Sequence, residues 1–409
     1  MQKISYSIKK CQFSNKRDLK LIISLGYLPP VNQMQKINSI SEEAIFFPAN
    51  LMYSQSSKLV QLSTIVNKSL LFPKQYPYTS STTEILRNNF FELSKECEKL
   101  FNLNKKDLII DIGSNDGNLL SNFKKYKILG VTPENIGKIA IKKGIPTLIR
   151  YFDKDTSNLI LKKYGKAKII TATNVFAHID NLKDLIKNIL KVLKQDGIFV
   201  TESHYLVSLI QDLQYDTIYH EHLRYYSLIS LKKIFDSYNL SIIHAKKIPT
   251  HGGSIRVYVS KKGNYKTSKN VFKILNSEKK SLSWKNFITF RKKVVDSKLS
   301  LISMLRRLKK KNVKIFGVGA PSRASTLVNY VGLTNEIIDC ICEIEGSYKI
   351  GNYMQGTNIP IVSEKIIFKE KPKYLLLLSW HISKDLIKNL RKKGYKGKFI
   401  IPLPNPKII

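Results

Sequence analysis

The 409-residue sequence has few cysteines, far fewer acidic than basic residues, and no long apolar run. Its four cysteines, at positions 11, 97, 340 and 342, have none of the spacings typical of a disulfide framework, which favours a reducing cytoplasm. No apolar run reaches the roughly 18 residues that a membrane span needs, so we expect none. The N-terminal segment lacks a continuous apolar stretch and a small-residue cleavage site, so we expect no signal peptide.

Acidic residues are the scarcer charged class. The sequence has 30 Asp and Glu residues and 69 Lys and Arg residues, which gives a net charge of +39. The basic residues are mostly lysines spread over the whole chain, and no aromatic-interleaved RNA motif accompanies them. We therefore expect no nucleic-acid partner and attribute the charge mainly to compositional bias. A smaller part of it could attract an anionic ligand such as a diphosphate-bearing substrate.

The length predicts two or three domains, and the pattern of apolar runs predicts an α/β fold. Strands are predicted at 107–112, 127–132, 168–174 and 197–202, with helices between them. Such alternation indicates a parallel, doubly wound sheet that binds ligands at the carboxyl ends of its strands. A helix over 83–101 precedes these strands, and a hairpin over 240–247 and 253–260 follows them. A lysine-rich helical segment, 268–311, then leads to a second α/β unit that starts at Lys314.

A turn rich in glycine and acid, Asp111-Ile-Gly-Ser-Asn-Asp-Gly117, follows the first of these strands. Its glycines allow a tight turn and a close approach to a ligand, although a plain strand–turn–helix junction would also use them. The pattern resembles motif I of class I S-adenosylmethionine (SAM) methyltransferases. That resemblance implies a SAM-binding set made of Asp111, Gly113, Asn115, Asp116 and Gly117.

Two further segments bear on the same cofactor. Thr132 ends the second strand, where this class usually carries an acid for the ribose hydroxyls, and Glu134 could substitute for it. Asn174 and Val175 follow the third strand, where such folds close over the methionine part of SAM. The departure at Thr132 weakens the ribose assignment more than the cofactor assignment.

The segment Asp216-Thr-Ile-Tyr-His-Glu-His222 concentrates titratable groups, with three in its last three positions. Histidine has the side chain whose ordinary pKa suits proton transfer near neutrality, so this segment is a candidate acid–base site. A surface loop with two solvated histidines is the alternative.

Several motifs in one order resemble a known family, the sugar C-methyltransferases that build branched deoxysugars on nucleotide-diphosphate carriers. They are the two segments above together with 76–81, 174–178 and 251–258, and, near the C-terminus, 317–329, 356–361 and 401–404. The resemblance implies a small N-terminal domain (1–75), a SAM-dependent methyltransferase domain (76–265), a helical connector (266–311) and a C-terminal Rossmann-like domain (312–409).

The family's N-terminal domain holds zinc with two CxxC pairs. Here those positions are Cys11 and Ser14 in one pair, and Ser54 and Ser57 in the other. Structural zinc needs thiolate or imidazole ligands, so we expect no zinc and no other metal.

The resemblance also implies roles in a carbon methylation. His222 is the expected base that removes a proton beside a ketone, and Glu221 would orient it or raise its basicity. Tyr219 and His178 would stabilise the enolate oxygen or handle protons. A tyrosine from the N-terminal lid would join them, and the sequence leaves open whether it is Tyr76 or Tyr78.

Four residues are candidates for binding the nucleotide sugar: His251, Gly252, Arg256 and Arg323. Each has a plainer interpretation. His251 and Gly252 could form a turn, Arg256 could pair with a structural carboxylate, and Arg323 could cap a helix instead of binding phosphate. Trp380 is equally compatible with a core position and a ligand platform.

The sequence therefore predicts a SAM-dependent C-methyltransferase that acts on a nucleotide-linked keto-deoxysugar. An O- or N-methyltransferase acting on another small metabolite is the first alternative, and a non-catalytic SAM-binding paralogue is the second. Methylation of nucleic acid would rest on charge alone. The sugar, the carbon methylated and the oligomeric state stay open.

Overall fold

The computed structural model describes residues 3–39, 44–72 and 79–409. They form an N-terminal sheet, a central seven-stranded sheet, two connecting helices and a C-terminal six-stranded sheet. Tyr76 and Tyr78, the candidate lid tyrosines, lie outside the described residues. Among the described residues, no helix is both long and apolar enough to span a membrane.

The N-terminal part is a small, mainly antiparallel unit. Its elements are β1 (Ser5–Ser7), β2 (Leu19–Leu28), β3 (Phe47–Ser54), β4 (Val60–Leu62), β5 (Thr64–Val66) and the short α1 (Lys68–Leu71). Its main sheet is completed by a strand from the central part, Arg224–Tyr225, which pairs with β4. The N-terminal unit is thus joined to the chain that follows the predicted acid–base segment.

The central part contains the predicted parallel sheet. Its elements are α2 (Glu84–Leu100), β6 (Leu108–Ile112), β7 (Lys127–Thr132), α3 (Gly137–Lys142), β8 (Thr147–Ile149), α4 (Lys154–Tyr164), β9 (Ala167–Thr173), α5 (Leu182–Val192), β10 (Leu193–His204), α6 (Leu206–Gln211), β11 (Arg224–Tyr225), α7 (Leu228–Asp236), β12 (Leu240–Ile248) and β13 (Ser254–Lys261).

The order of this sheet is β12-β13-β10-β9-β6-β7-β8. The five strands from β10 to β8 run parallel, while β13 and β12 are antiparallel to their neighbours. All five residues of β6 are buried, as expected for a strand covered on both faces by helices. The helix predicted from Asn118 is only a 3₁₀ turn, Leu120–Phe123.

Helix α5 shows why the predicted helices form where they do. Asn181 caps its N-terminus by accepting a hydrogen bond from the amide of Asp184. Leu182, Leu185, Ile186 and Ile189 are buried, at the spacing of one helical face. Burial of that face places the preceding loop, 174–181, at the carboxyl end of β9.

Two helices, α8 (Lys269–Ser281) and α9 (Trp284–Lys309), occupy the segment predicted as a connector. With 26 residues, α9 is about 39 Å long. Buried side chains of α9 share one hydrophobic core with the N-terminal sheet and the C-terminal part. The connector therefore packs the two ends of the chain together.

The C-terminal part is a second doubly wound unit. Its elements are β14 (Ile315–Val318), α10 (Ser322–Val331), β15 (Cys340–Glu343), β16 (Ile361–Ser363), α11 (Lys365–Glu370), β17 (Tyr374–Leu377), α12 (Ser383–Lys392), β18 (Lys398–Ile401) and β19 (Lys407–Ile408). Its strand order is β16-β15-β14-β17-β18-β19, and all strands except β19 are parallel. The strands that follow β14 in the chain are added first on one side of it, as β15 and β16, and the order then reverses to the other side, from β17 onward. Crevices open at such reversals, next to the N-terminus of α10.

The positions of the family's zinc ligands hold a hydrogen-bonded cluster. Cys11 Sγ lies 3.1 Å from Ser57 Oγ, and Ser54 Oγ donates to the Asp18 carboxylate at 2.9 Å. The Ser14 amide donates to Cys11 Sγ at 3.4 Å, so the local turn persists where the thiol partners are serines. Hydrogen bonds and packing hold this part of the N-terminal unit together.

Candidate active site

A cleft of about 1850 Å³ lies between the three parts of the chain, at the carboxyl ends of both parallel sheets. Residues from every part line it, and they include most of the predicted site. From the central part these are Asp111, Gly113, Asn115, Thr132, Glu134, Asn174, Val175, His178, Tyr219, Glu221, His222 and His251; from the N-terminal part, Asn32 and Lys68; and from the C-terminal part, Arg323, Tyr348, Lys349 and His381.

The loop after β6 is the cofactor side of the cleft. Gly113 has φ +75°, and a Cβ there would overlap the side chain of Val175, so only glycine lets the two loops approach so closely. Asp111 accepts a hydrogen bond from Thr171 Oγ1 at 2.6 Å, and burial raises the pKa of its carboxyl to about 7. Within the described residues, the buried Ser114 hydroxyl has no partner. The close approach of the two loops, with the polar side chains of Asp111 and Ser114 beside it, suits the binding of SAM.

Glu134 lies beside Thr132 at the carboxyl end of β7. Thr132 Oγ1 donates to Glu134 Oε2 at 2.6 Å, and both residues line the cleft beyond β7. The hydroxyl of Thr132 thereby fixes a carboxylate two residues further on. The cleft thus contains a carboxylate that can accept hydrogen bonds from hydroxyls, and its role toward the ribose of SAM stays a prediction.

Two predicted cofactor residues, Asp116 and Gly117, are turned away from the cleft that the described residues form. Asp116 accepts from Ser80 Oγ at 2.6 Å and pairs with Lys143 at 3.1 Å. Gly117 packs against Ala140 and Ile145 beneath the loop. Both support the loop without facing a ligand, which corrects their assignment as cofactor contacts. Asn115 does line the cleft, and it accepts from the amide of Ser80 at 2.9 Å.

His222 is buried in the wall of the cleft and held in one orientation. Its Nδ1 lies 3.0 Å from the carbonyl oxygen of Thr217. A carbonyl only accepts, so Nδ1 carries the hydrogen and Nε2 carries the lone pair. Burial lowers the pKa of His222 to about 4, so the ring is neutral at pH 7.

Three other histidines surround it. The ring centroids of His178 and His204 lie 5.0 and 5.2 Å from that of His222, and His251 lies 5.7 Å from His204. Burial is the largest cause that lowers their pKa values, to about 3 for His178, about 4 for His251 and well below the ordinary value for His204. The cluster is therefore neutral and offers lone pairs instead of charge.

Tyr219 and Glu221 flank His222 differently from what the sequence suggests. The ring of Tyr219 lies 4.3 Å from the imidazole of His222, and burial raises the pKa of its phenol. Glu221 accepts from Asn32 Nδ2 at 2.5 Å, and burial raises the pKa of its carboxyl to about 8. The Thr217 carbonyl, not Glu221, orients His222.

His220 does not line the cleft that the described residues form. His220 Nε2 lies 3.2 Å from the Pro48 carbonyl, in the N-terminal sheet. Its ring is in edge contact with Phe47, on the side opposite the cleft. Residues 219–221 form a bend and a turn, so His220 and His222 point in different directions although they are only two residues apart.

Arg256 was predicted to bind substrate, but its guanidinium is fully buried. Its Nε donates to Glu202 at 2.5 Å, its Nη1 pairs with Glu96 at 2.8 Å, and its Nη2 donates to Asn89 at 2.8 Å. Arg256 thus ties β13 to β10 and α2. The alternative interpretation, a structural ion pair, is the correct one.

The two predicted substrate residues His251 and Gly252 differ in their position relative to the cleft. His251 lines the cleft in a left-handed conformation with φ 55°, and its Nε2 lies 3.3 Å from Asn174 Nδ2. The Gly252 carbonyl instead accepts from Gln214 Nε2 at 2.5 Å, behind the wall of the cleft. Only His251 is placed to meet a ligand.

Arg323 reaches the cleft, but its charge is already paired. Its Nε and Nη2 donate to the two carboxylate oxygens of Asp216 at 2.8 and 2.7 Å. Trp380 Nε1 donates to the same carboxylate at 2.7 Å, and the guanidinium lies over the Trp380 ring. Arg323 therefore lines the cleft as a member of an internal ion pair, and its contact with a substrate phosphate stays a prediction.

The cleft residues that were not identified from the sequence include Asn32, His204, Lys349 and His381. His204 ends β10, so its position at the carboxyl end of a strand was a usable signal. Asn32 and Lys349 come from the terminal parts and reach the cleft only through domain packing. Lys349 donates to the Ala320 carbonyl, and burial lowers the pKa of its ammonium.

Comparisons with known proteins agree with this geometry. Residues 85–245 match the family model described as a methyltransferase domain, and residues 249–404 match the one described as a C-methyltransferase C-terminal domain. The chain is 27% identical to the C-methyltransferase NovU of Streptomyces niveus over 419 residues. That match covers 100% of this chain and 99% of the relative.

Solved structures of methyltransferases match less than half of the chain. A SAM-dependent methyltransferase from Clostridium acetobutylicum is 17% identical, with a TM-score of 0.35, and the match covers 45% of this chain and 94% of that one. Magnesium protoporphyrin IX methyltransferase from Synechocystis, with bound SAM, is 12% identical with a TM-score of 0.33, covering 43% and 79%. The two family models and the full-length relative, together with the sheet order, show that the chain is a SAM-dependent methyltransferase that is similar over its whole length to a C-methyltransferase.

Proposed function

We propose that the protein methylates a carbon beside the ketone of a nucleotide-diphosphate-linked keto-deoxysugar. The observation that carries this proposal is His222, a buried neutral imidazole whose Nδ1 is held by the Thr217 carbonyl. Its Nε2 lone pair is thereby left for the cleft. Carbon methylation needs such a base, because a C–H bond beside a ketone must lose its proton before the carbon can attack a methyl group.

In the first step the Nε2 of His222 takes the proton from the carbon beside the ketone. The C–H electron pair moves into the carbon–carbon bond, and the ketone oxygen becomes an enolate oxygen. The Thr217 carbonyl accepts a hydrogen bond from Nδ1–H throughout, so it stabilises the imidazolium that forms.

The enolate oxygen needs donors that bind it better than they bind the ketone. With a pKa of about 8, Glu221 is mostly protonated at pH 7 and can donate a hydrogen bond while Asn32 holds its other oxygen. Tyr219 keeps its phenolic hydrogen because burial raises its pKa. His178 is neutral and close enough to His222 to share in proton movement.

SAM supplies an electrophilic methyl group on a sulfonium, with no need for a metal. When bound, SAM would give this methyl group to the enolate carbon, with the electrons of its bond to sulfur left on sulfur. Gly113 and Val175 bring the two cofactor loops close, and Asn174 is fixed by His251 next to the acid–base cluster. The proton remains on His222 and then passes to solvent.

The size and charge of the cleft support a nucleotide-linked substrate. A volume of about 1850 Å³ is large enough for a cofactor and a second ligand of similar size. The lining mixes carboxylates with lysines, and Lys3, Lys68, Lys187 and Lys191 are the cations that a diphosphate would meet. All four cysteines are free thiols, which fits the proposed cytoplasmic location.

The test is incubation of the protein with SAM and a panel of dTDP- and GDP-linked 4-keto-sugars, with mass analysis of the products. A methylated sugar whose new methyl group is on carbon is the expected result. A methyl group on oxygen or nitrogen would establish the alternative reaction, in which His222 deprotonates a hydroxyl or an amine. Calorimetry without any SAM binding would favour the non-catalytic alternative.

A second measurement separates proton removal from methyl transfer. In deuterium oxide, with S-adenosylhomocysteine in place of SAM, the wild type is expected to exchange the proton beside the ketone. His222→Gln is expected to lose that exchange while still binding S-adenosylhomocysteine. Exchange that persists in His222→Gln would remove His222 from the role of base.

A further inference from the structure

Asp216 is the meeting point of two parts of the chain. Its carboxylate is fully buried and accepts three hydrogen bonds, two from Arg323 and one from Trp380. Both donors belong to the C-terminal part: Arg323 lies in the first turn of α10, and Trp380 follows β17. The acceptor belongs to the central part, just before the acid–base residues.

A second contact holds the same loop from α10. Thr326 Oγ1 donates to the carbonyl oxygen of Ile218 at 3.2 Å. Arg323 and Thr326 are three residues apart, so they lie on one face of the helix. One helix face thus holds the chain at Asp216 and again at Ile218.

Thr217 lies between these two fixed points, and its carbonyl is the group that orients His222 at 3.0 Å. The same carbonyl accepts from the Tyr225 hydroxyl at 3.3 Å. The direction of a peptide carbonyl depends on the backbone angles of its neighbours. The C-terminal part therefore fixes, through Asp216 and Ile218, the group that selects the tautomer of His222.

We propose that Arg323 and Trp380 are positioning residues that set the imidazole of His222 through Asp216. This inference rests on the proposed role of His222 as base. It assigns to the C-terminal domain a part in the proton-transfer step in addition to enclosing the ligand. A buried, paired guanidinium is also a poor phosphate ligand, since Asp216 already neutralises its charge.

The plainer interpretation is that the ion pair only holds the domains together. The chain supplies a matched control for this, the equally buried pair of Arg256 and Glu202 within the central part. Arg256→Lys and Arg323→Lys make the same chemical change in a buried pair. Of the two pairs, only that of Arg323 and Asp216 adjoins the acid–base loop.

The experiment compares Arg323→Lys, Asp216→Asn and Trp380→Phe with Arg256→Lys, all as full-length protein with S-adenosylhomocysteine bound. Spectra of ¹⁵N-histidine-labelled protein report the Nδ1–H tautomer of His222, whose signal is assigned as the one missing in His222→Gln. We expect the first three variants to change that signal, and Arg256→Lys to leave it in place even where it lowers the melting temperature. A His222 signal unchanged in all four variants would overturn the proposal.

Turnover of a keto-sugar from the panel gives the second readout. We expect kcat to fall roughly 10- to 100-fold in Arg323→Lys and Asp216→Asn, with KM for the sugar changed less than about threefold, because a misplaced base slows chemistry more than binding. The kcat of the double variant, Arg323→Lys with Asp216→Asn, should be no lower than that of the slower single variant. A raised KM with kcat kept would instead show that Arg323 contacts substrate. Wild-type protein inactive on every keto-sugar would refute the proposed function, while the histidine spectra would still decide the positioning role.

Discussion

The Nδ1 atom of His222 lies 3.0 Å from the carbonyl oxygen of Thr217, five residues earlier in the same loop. This single hydrogen bond fixes the tautomer, orients the ring and leaves Nε2 for the cleft. Because the acceptor is a backbone atom, no side-chain substitution at Thr217 removes it directly. The loop conformation is what the protein must maintain.

The first prediction concerns His222 itself. His222→Gln is expected to lower methyl transfer by roughly 10²- to 10⁴-fold, since the base is lost while the hydrogen bond to Thr217 can be retained. His220→Gln is the matched control, because His220 bonds to Pro48 in the N-terminal sheet. Initial rates with saturating SAM decide the matter, and equal losses in both variants would contradict the assignment.

Glu134 is expected to bind the ribose of SAM in place of an acid at position 132. Glu134→Gln should weaken SAM binding about tenfold, because a charged acceptor bonds hydroxyls more strongly than an amide does. Glu92→Gln removes the same charge from the exposed face of α2 and should not change the affinity. Titration calorimetry measures both, and an unaltered dissociation constant for Glu134→Gln would exclude the ribose role.

Close approach of the cofactor loops requires glycine at position 113. Gly113→Ala should lower SAM affinity and the melting temperature, because its Cβ would overlap Val175 and its φ of +75° is strained for alanine. Gly144→Ala carries nearly the same φ, +74°, in open space. The difference between the two variants isolates the overlap. If thermal unfolding and SAM titration give the same result for both, the close packing is unimportant.

The free energy of unfolding should fall as the pH drops below about 6.5. Five buried or half-buried histidines have folded-state pKa values near 3 or 4, namely His178, His220, His222, His251 and His381. Their unfolded values lie near 6.5, so between these limits the unfolded chain binds more protons than the folded one. Urea unfolding at pH 5 and pH 6.5 measures the loss, and equal stability at both would show that the rings are solvated.

A loss of stability on the alkaline side is expected from Glu221. Its folded pKa of about 8 lies above the ordinary value, so its stabilising contribution is full at low pH and is lost as the pH rises through 8. Between pH 7 and 8 this amounts to about 1 kcal/mol. Lys349 faces the same carboxyl and partly offsets its burial. In Glu221→Gln the slope over that interval should disappear, and a slope identical to that of the wild type would assign it to another group.

The serine positions of the N-terminal unit give a gain-of-function test. Wild-type protein should keep its melting temperature in a chelator, since three of the four family ligands are serines. Replacing Ser14, Ser54 and Ser57 by cysteine should create a site for about one zinc per chain and raise the melting temperature. Metal analysis after dialysis measures the zinc content. A triple variant that binds no zinc would show that the two turns no longer have the geometry of a zinc site.

Much of the fold could be predicted from local patterns. Buried runs such as 108–112, turns with glycine and helices with one apolar face depend on neighbours in sequence, so the alternating α/β order was predicted correctly. The family comparisons confirm the enzyme class and the cofactor. The lengths of helices were less certain, because packing decided that residues after Asn118 form only a 3₁₀ turn.

The roles of charged residues could not be predicted in the same way. Arg256 and Arg323 look alike in sequence, and each could have met a phosphate. Tertiary packing placed Glu202 beside the first and Asp216 beside the second, from strands and loops more than 50 residues away. Which charge is left free for a ligand depends on such distant partners.

What the sequence determined by itself is the chemistry available: a glycine turn for SAM, an acid at 134 and a tyrosine–glutamate–histidine segment for proton transfer. What only the tertiary structure decided is which of these groups meet and in what protonation state. Burial, which no local pattern specifies, makes His222 neutral and Glu221 protonated at pH 7. The C-terminal domain then holds the loop whose backbone carbonyl orients His222, because buried carboxylates need partners wherever the fold can bring them.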